Sequence, residues 1–148
     1  FSQGKFLFLE DVQDPGNVGT MIRTADAAGL TGVIVSDKSA DIYSLKTLRS
    51  MQGSHFHLPI YRMPLATFIE EAKKSNLPIL ATTLSRDSKD YRELSPLENF
   101  ALVMGNEGQG ISPIMAESAN QLVHIGMKGR AESLNVAVAA GILMFYFS

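Results

Sequence analysis

Residues 100–110 read Phe100-Ala-Leu-Val-Met-Gly-Asn-Glu-Gly-Gln-Gly110, a short apolar run that passes straight into a glycine-rich loop. An unbroken apolar run of this length is the pattern of a buried strand. The flanking sequence repeats the plan. Lys5-Phe-Leu-Phe-Leu-Glu10 is a second strand-like run, and Asp14-Pro-Gly-Asn17 turns into a helix with Asn17 as its N-cap. Met21, Ile22, Ala25 and Ala28 recur at the spacing of one helix face, and Gly29 is a stop. Gly32-Val-Ile-Val-Ser36 is the next strand, and residues 44–51 form a short helix ended by Gly53. Residues 55–60 are expected as a strand, Pro64 opens a helix to about Ser75, and residues 77–82 are again a strand.

Residues 85–93 carry Arg86, Asp87, Lys89, Asp90, Arg92 and Glu93 and are expected as an exposed loop, with Asp87 and Asp90 there for solvation. A short helix over 111–119, a strand over 122–125 and a closing helix over 133–147 complete the chain. Strands alternating with helices predict an α/β fold with a mainly parallel sheet and flanking helices. Ligands of such sheets bind beyond the carboxyl ends of the strands, so the loops after strands are the place to look.

Composition sets the class. The 148 residues suit one domain, and 45% hydrophobic with 19% charged residues allow a full core. Thirteen basic against fifteen acidic residues give a net charge of −2, which excludes a strongly basic nucleic-acid binder but not a local basic patch. The sequence has no cysteine, which removes disulfides, cysteine-ligated metals and thiol nucleophiles and suits a reducing, cytoplasmic setting. No signal-peptide pattern is read at the start, and the longest apolar stretch, residues 136–147, is shorter than the ~20 residues of a membrane span. The chain opens at Phe1 rather than Met and is expected to be part of a longer protein.

Three loops carry the chemical signal. The first, Asp14-Pro-Gly-Asn-Val-Gly-Thr-Met-Ile-Arg23, places Arg23 about 140° round the helix from Val18, almost opposite the apolar stripe. A solvated surface arginine is one reading, and a cation that holds a phosphate or steadies an alkoxide is the other. The second is residues 105–110, whose G-x-x-G-x-G spacing is neither a dinucleotide fingerprint nor a P-loop. Its glycines allow a ligand close to the backbone, or simply make a tight turn. The third, Ile125-Gly-Met-Lys-Gly-Arg-Ala-Glu-Ser-Leu-Asn135, leads into a helix that Ser133 is placed to cap, whose free N–H groups suit an oxygen-rich ligand. A capped helix with Lys128 and Arg130 in water is the plainer reading.

Taken together, these loops resemble the SpoU (TrmH) family of RNA ribose 2′-O-methyltransferases, within the SPOUT superfamily. Asn17, Gly19 and Arg23 match its first motif, Met104-Gly-Asn-Glu-Gly108 its second, and Ser133-Leu-Asn-Val136 its third. Asp26-Ala-Ala-Gly29 and Arg49-Ser-Met-Gln-Gly-Ser54 are also family-like, so the resemblance spans essentially the whole chain. One departure is Gly126, where the family often has proline after the residue matching Ile125; it is expected to loosen that loop.

The resemblance implies a deep trefoil knot in the C-terminal half, a feature that periodicity does not reveal. It implies S-adenosyl-L-methionine as cofactor, held by the knot's loops, and a homodimer with each site near the interface. Gly105, Ile125 and Leu134 would line the adenosine pocket, with Thr82, Thr83 and Met127 close by and Asn106 and Gly108 contributing from the second motif. The implied reaction is methyl transfer to a ribose 2′-hydroxyl of structured RNA without a metal, ribosomal RNA being favoured over transfer RNA. Arg23 is the implied catalytic residue, with Asn17, Glu107, Ser133 and Asn135 in support. Because a guanidinium stays protonated, an electrostatic role suits Arg23 better than that of a base. Glu107 or Asn135 would orient Arg23 or the ribose. The closing helix, with Val136, Ala139, Ala140, Leu143, Met144 and Phe147, suits either the core or a dimer interface.

Other readings stay open. A relative that binds RNA or S-adenosylmethionine without catalysis, a transfer-RNA methyltransferase and a nucleotide-binding α/β domain share much of this pattern. His55 and His57 lack further ligands at metal spacing, so they are read as core or surface residues. His124 is read as buried or hydrogen-bonded, and the four tyrosines are scattered rather than arranged as a stacking ribbon. Arg23, Lys46, Arg49, Lys128 and Arg130 are the cations placed to meet RNA. That set is thin, which suits residues 1–148 being a catalytic domain whose N-terminal RNA-binding domain is absent from this chain.

Overall fold

A computed structural model describes residues 3–148. Seven parallel strands form one sheet: β1 (Lys5–Leu9), β2 (Gly32–Val35), β3 (Ile60–Arg62), β4 (Ile79–Thr82), β5 (Lys89–Asp90), β6 (Phe100–Met104) and β7 (Gln121–His124). Their order across the sheet is β3-β2-β1-β6-β4-β7-β5. The helices are α1 (Pro15–Ala27), α2 (Leu45–Met51), α3 (Leu65–Lys74), α4 (Pro113–Ser118) and α5 (Val136–Phe147).

The central pair explains why the apolar runs are unbroken. β1 and β6 lie side by side in register Lys5↔Phe100 to Leu9↔Met104. Leu7, Leu9, Leu102 and Met104 face one core, with Met21 and Ile22 of α1 and Leu143, Met144 and Phe147 of α5. The alternate residues Phe6, Phe8, Ala101 and Val103 face a second core with Phe68 of α3 and Met115 of α4. A strand buried on both faces has no polar position to alternate with. Phe8 and Phe68 stack at 4.1 Å between ring centroids, and emptying such a site by substitution with alanine costs about 3–5 kcal/mol.

Several boundaries differ from the sequence reading, each for a local reason. Asp14, not Asn17, caps α1: its Oδ2 accepts the Asn17 N–H at 2.9 Å, and Pro15 occupies the first turn, where a missing N–H costs nothing. Asn135, not Ser133, caps α5, its Oδ1 accepting the N–H groups of Ala137 and Val138 at 2.8 and 3.2 Å. The helix α2 ends through Gln52 at φ 50°, followed by Gly53 at φ 84° and a 3₁₀ turn at Ser54–Phe56. His55 and His57 thus lie on a turn rather than on a strand, and the strand expected there starts only at Ile60.

Residues 85–93 are not merely a loop. They contain the edge strand β5, paired to β7, and a 3₁₀ turn at Tyr91–Glu93. Asp90 is not a solvated carboxylate: Arg92 grips both its oxygens, Nε at 2.8 Å and Nη2 at 2.7 Å. Gly19 serves packing rather than a ligand. A Cβ there would lie 2.3 Å from Cβ of Ser50 and 2.6 Å from the Thr47 carbonyl, so its absence lets α1 and α2 cross closely. The closing helix divides its faces. Ala137, Ala140, Leu143, Met144 and Phe147 are buried, Val136 and Ala139 are partly covered, and Val138, Ile142 and Phe145 are exposed. Among the described residues, no helix is long and apolar enough to cross a membrane.

Candidate active site

Beyond the carboxyl ends of β4, β6 and β7 lies a cavity of about 730 Å³. Its walls come from the three loops that follow those strands and from the start of α5. Val123, Ile125, Ala139 and Leu143 give it an apolar side, while Asn17, Thr83, Glu107, Ser133 and Asn135 give it polar groups. The volume and mixed lining are those of a pocket for one small organic ligand.

Three of these polar residues, Asn17, Glu107 and Asn135, are joined to one another. Glu107 reaches from the loop after β6 to the turn before α1, where its Oε1 accepts the Gln13 N–H at 3.1 Å and its Oε2 the Asp14 N–H at 2.8 Å. The Asn17 side-chain amide donates to the same Oε2 at 3.4 Å. The Asn135 amide donates to Asn17 Oδ1 at 3.2 Å while its own oxygen caps α5. With Asp14 as cap, the Asn17 side chain is free for this role. Partial burial pushes the Glu107 carboxyl up, but the N–H groups of Asp14, Glu107 itself and Gln13, with the Asn17 amide, outweigh it and hold the group below its ordinary value.

The loop after β6 is self-supporting. The Asn106 Oδ1 accepts the N–H groups of Gly108 and Gln109 at 2.8 and 3.0 Å, and its amide donates to the Asp11 carbonyl at 2.8 Å. Asn106 and Gly110 also exchange both backbone hydrogen bonds. A Cβ at Gly105 would stand 2.3 Å from the Gly110 carbonyl carbon and 2.4 Å from the Ile111 nitrogen. Gly105 is therefore required by the loop's contact with itself. The Thr82 hydroxyl donates to the Val103 carbonyl at 2.9 Å, so it ties β4 to β6.

Of the residues singled out in the sequence, Thr82, Thr83, Gly105, Asn106, Gly108, Ile125, Met127 and Leu134 all line the cavity, as do Asn17, Glu107, Ser133 and Asn135. Arg23 does not. It lies on the exposed side of α1, six residues and about 9 Å along the helix axis from Asn17, and its guanidinium makes no hydrogen bond or ion pair to a described residue. Ser133 is exposed, and its hydroxyl has no partner among the described residues. Sequence reasoning missed Leu84, Ile111, Val123 and His124 on the wall, while Met104 and Gln109, also there, stood in the second loop with no role of their own. Of the missed residues His124, adjoining the third loop, was the one the sequence drew notice to; its Nδ1 lies 2.8 Å from the Ser88 hydroxyl. The loop expected to be loose at Gly126 is tied there, its N–H donating to Asp90 Oδ2 at 2.9 Å. Among the described residues no three His, Cys, Asp or Glu side chains group as a metal site.

An all-parallel α/β sheet with one small-molecule cavity at its carboxyl edge, its mouth tied together by side-chain amides and a carboxylate, defines a ligand-binding α/β domain. The model of the SpoU rRNA Methylase family matches residues 4–145, and the chain belongs to that family. It is 47% identical, over 96% of its length, to the 23S rRNA (guanosine(2553)-2′-O)-methyltransferase RlmP of Bacillus subtilis, covering 57% of that protein. The AdoMet-bound rRNA methyltransferase from Sinorhizobium meliloti superposes with a TM-score of 0.92 at 41% identity, over 97% of this chain and 55% of that one. The SpoU methyltransferase AviRb from Streptomyces viridochromogenes, in complex with AdoMet, gives 0.82 at 34% identity, over 97% and 56%. The chain thus spans just over half the length of each of these three relatives.

Proposed function

We propose that this chain is the catalytic unit of an S-adenosylmethionine-dependent RNA ribose 2′-O-methyltransferase, with ribosomal RNA as substrate. The observation that carries this reading is the cavity itself, since the second and third family motifs line it and the first reaches it through Asn17. The residues present fit the cofactor. Ile125, Met127, Leu134 and Leu143 offer apolar surface to an adenine ring, and the loop of residues 105–110, which also lines the cavity, lets the rest of the molecule lie close to the backbone. The C-terminal segment is read as the trefoil knot of the family, with the loops after β6 and β7 as its cofactor-facing parts.

When bound, S-adenosylmethionine supplies a methyl group on a sulfonium that is already a good leaving group. What the protein adds is placement of the 2′-oxygen in line with it and stabilisation of charge as the hydroxyl proton departs. Asn17, Glu107 and Asn135 hold the mouth in shape, and Ser133 has a hydroxyl free to meet the ribose. Arg23 serves as a fixed cation for the adjoining phosphate and the developing alkoxide. Because it stands outside the cavity wall of its own chain, bound RNA or a second protomer must bring it to the reacting groups. A homodimer built on the exposed α5 stripe of Val138, Ile142 and Phe145 suits this, because association would take these apolar side chains out of water. The site calls for no metal, and a cytoplasmic setting suits a cysteine-free chain acting on ribosomal RNA.

Residues 1–148 are read as the catalytic domain, with much of the RNA grip outside them in a separate N-terminal region; the net charge of −2, weak for a chain that grips RNA by itself, supports this. The test is transfer of a labelled methyl group from S-adenosylmethionine to ribosomal RNA, with transfer RNA alongside. The product is located by the resistance of the methylated ribose to alkaline cleavage. Label in ribosomal RNA at one alkali-resistant position is the expected result. Label in bases, or none with the full-length protein, contradicts the reading.

A further inference from the structure

The edge strand β5 is two residues long and pairs with β7 through Lys89↔Val123 and Asp90↔His124. This sets Asp90 level with the last residue of β7, where the chain leaves the sheet to form the cavity wall. The Arg92 side chain fixes both oxygens of Asp90, and the Arg92 backbone N–H donates to Oδ1 at 2.9 Å. Oδ2 then accepts the Gly126 N–H at 2.9 Å. The approach is close: a Cβ on Gly126 would lie 2.6 Å from Oδ2 and 3.0 Å from Arg92 Nη2. Ile125 and Met127, on either side of Gly126, both line the cavity.

We propose that Asp90 is a positioning residue for ligand binding, fixing residues 125–127 through the Gly126 N–H so that Ile125 and Met127 stand ready in the wall. The inference rests on the cofactor reading above. An exposed ion pair adds little to fold stability, and Arg92 is 43% exposed. Its use here is to hold an acceptor still. The wall loop contains Gly126 and Gly129, and without the anchor its ordering would fall on the binding step and weaken affinity.

The test uses Asp90→Ala, Gly126→Ala and the double variant, with titration by S-adenosylmethionine and amide hydrogen exchange without it. Asp90→Ala is expected to weaken binding about tenfold, as loss of one charge-assisted hydrogen bond does. Exchange at Gly126 should quicken by a similar factor while Leu102 in β6 keeps its protection. Asp90→Asn, which keeps one oxygen acceptor, should fall between. Gly126→Ala should cost a comparable factor, and the double variant should bind no worse than either single one. Affinity of Asp90→Ala within twofold of the parent, unchanged exchange at Gly126, or multiplying losses in the double variant overturns the proposal. Failure of the unsubstituted chain to bind S-adenosylmethionine would overturn the cofactor reading instead, and the exchange at Gly126 would still decide the role of Asp90.

Discussion

The side-chain amide of Asn135 donates to the side-chain oxygen of Asn17 at 3.2 Å, joining residues 118 positions apart in the chain. Asn17 passes the connection on to Glu107, which holds the turn before α1 by two backbone N–H groups. Three loops distant in sequence are thus tied at one cavity mouth by groups that also serve local structure. A mouth fixed in this way leaves less to be ordered when ligand arrives.

Removing Glu107 should loosen the mouth more than it unfolds the chain. In Glu107→Ala the Gln13 and Asp14 N–H groups turn to water, and stability should fall by only about 1 kcal/mol because the site is exposed. S-adenosylmethionine affinity should fall by a larger factor, about tenfold, read by calorimetry beside thermal melting. A large loss of stability with unchanged affinity would make Glu107 a fold residue only.

Arg23 separates binding from chemistry. It is exposed, unpaired among the described residues and off the cavity wall, so Arg23→Ala should leave melting and cofactor affinity unchanged. Methyl transfer in the full-length protein should fall by about 100-fold or more, the scale of losing one group that stabilises developing charge. Equal loss of binding and transfer would show a structural role.

Gly105→Ala tests whether the loop after β6 tolerates any side chain. The added Cβ meets backbone atoms at 2.3 and 2.4 Å, which cannot swing aside as a side chain does. The variant should lose about 1–3 kcal/mol of stability. Cofactor binding should weaken with it, because Gly105 and Gly110 both line the cavity.

Acid should destabilise the protein through two carboxylates. The side chain of Arg92 holds Asp90 well below the usual carboxylate range, and backbone N–H groups hold Glu107 below its ordinary value despite its partial burial. The unfolded chain therefore binds more protons than the folded one as these groups titrate. Their contribution is fully present above the unfolded values of about 4 and is lost as pH falls through the lower folded ones. Melting temperature should hold steady from pH 7 to about 5 and drop below about 4, less steeply in Asp90→Asn.

Much of the fold is legible because β1 and β6 are buried on both faces and advertise it as unbroken apolar runs. The motif loops were legible as clusters of Gly, Asn and Glu after strands. The edge strand β5 was not, since two residues paired on one side only need no apolar pattern. The link from Asp90 to Gly126 spans 36 residues and joins groups that each look like solvent-facing loop. Both cap assignments slipped because several capping residue types stand close together, and only geometry selects Asp14 over Asn17 and Asn135 over Ser133. The placement of Arg23 outside the wall depends on the turn of α1 relative to the cavity, which no residue pattern specifies.

The central claim is that the cavity beyond β4, β6 and β7 binds S-adenosylmethionine, and calorimetric titration of the 148-residue chain tests it directly. S-adenosylmethionine and S-adenosylhomocysteine should each bind at one site per chain, with ATP giving no heat, and Gly105→Ala should weaken both. A folded sample that binds ATP in their place, or that binds neither sulfur compound, would contradict the account.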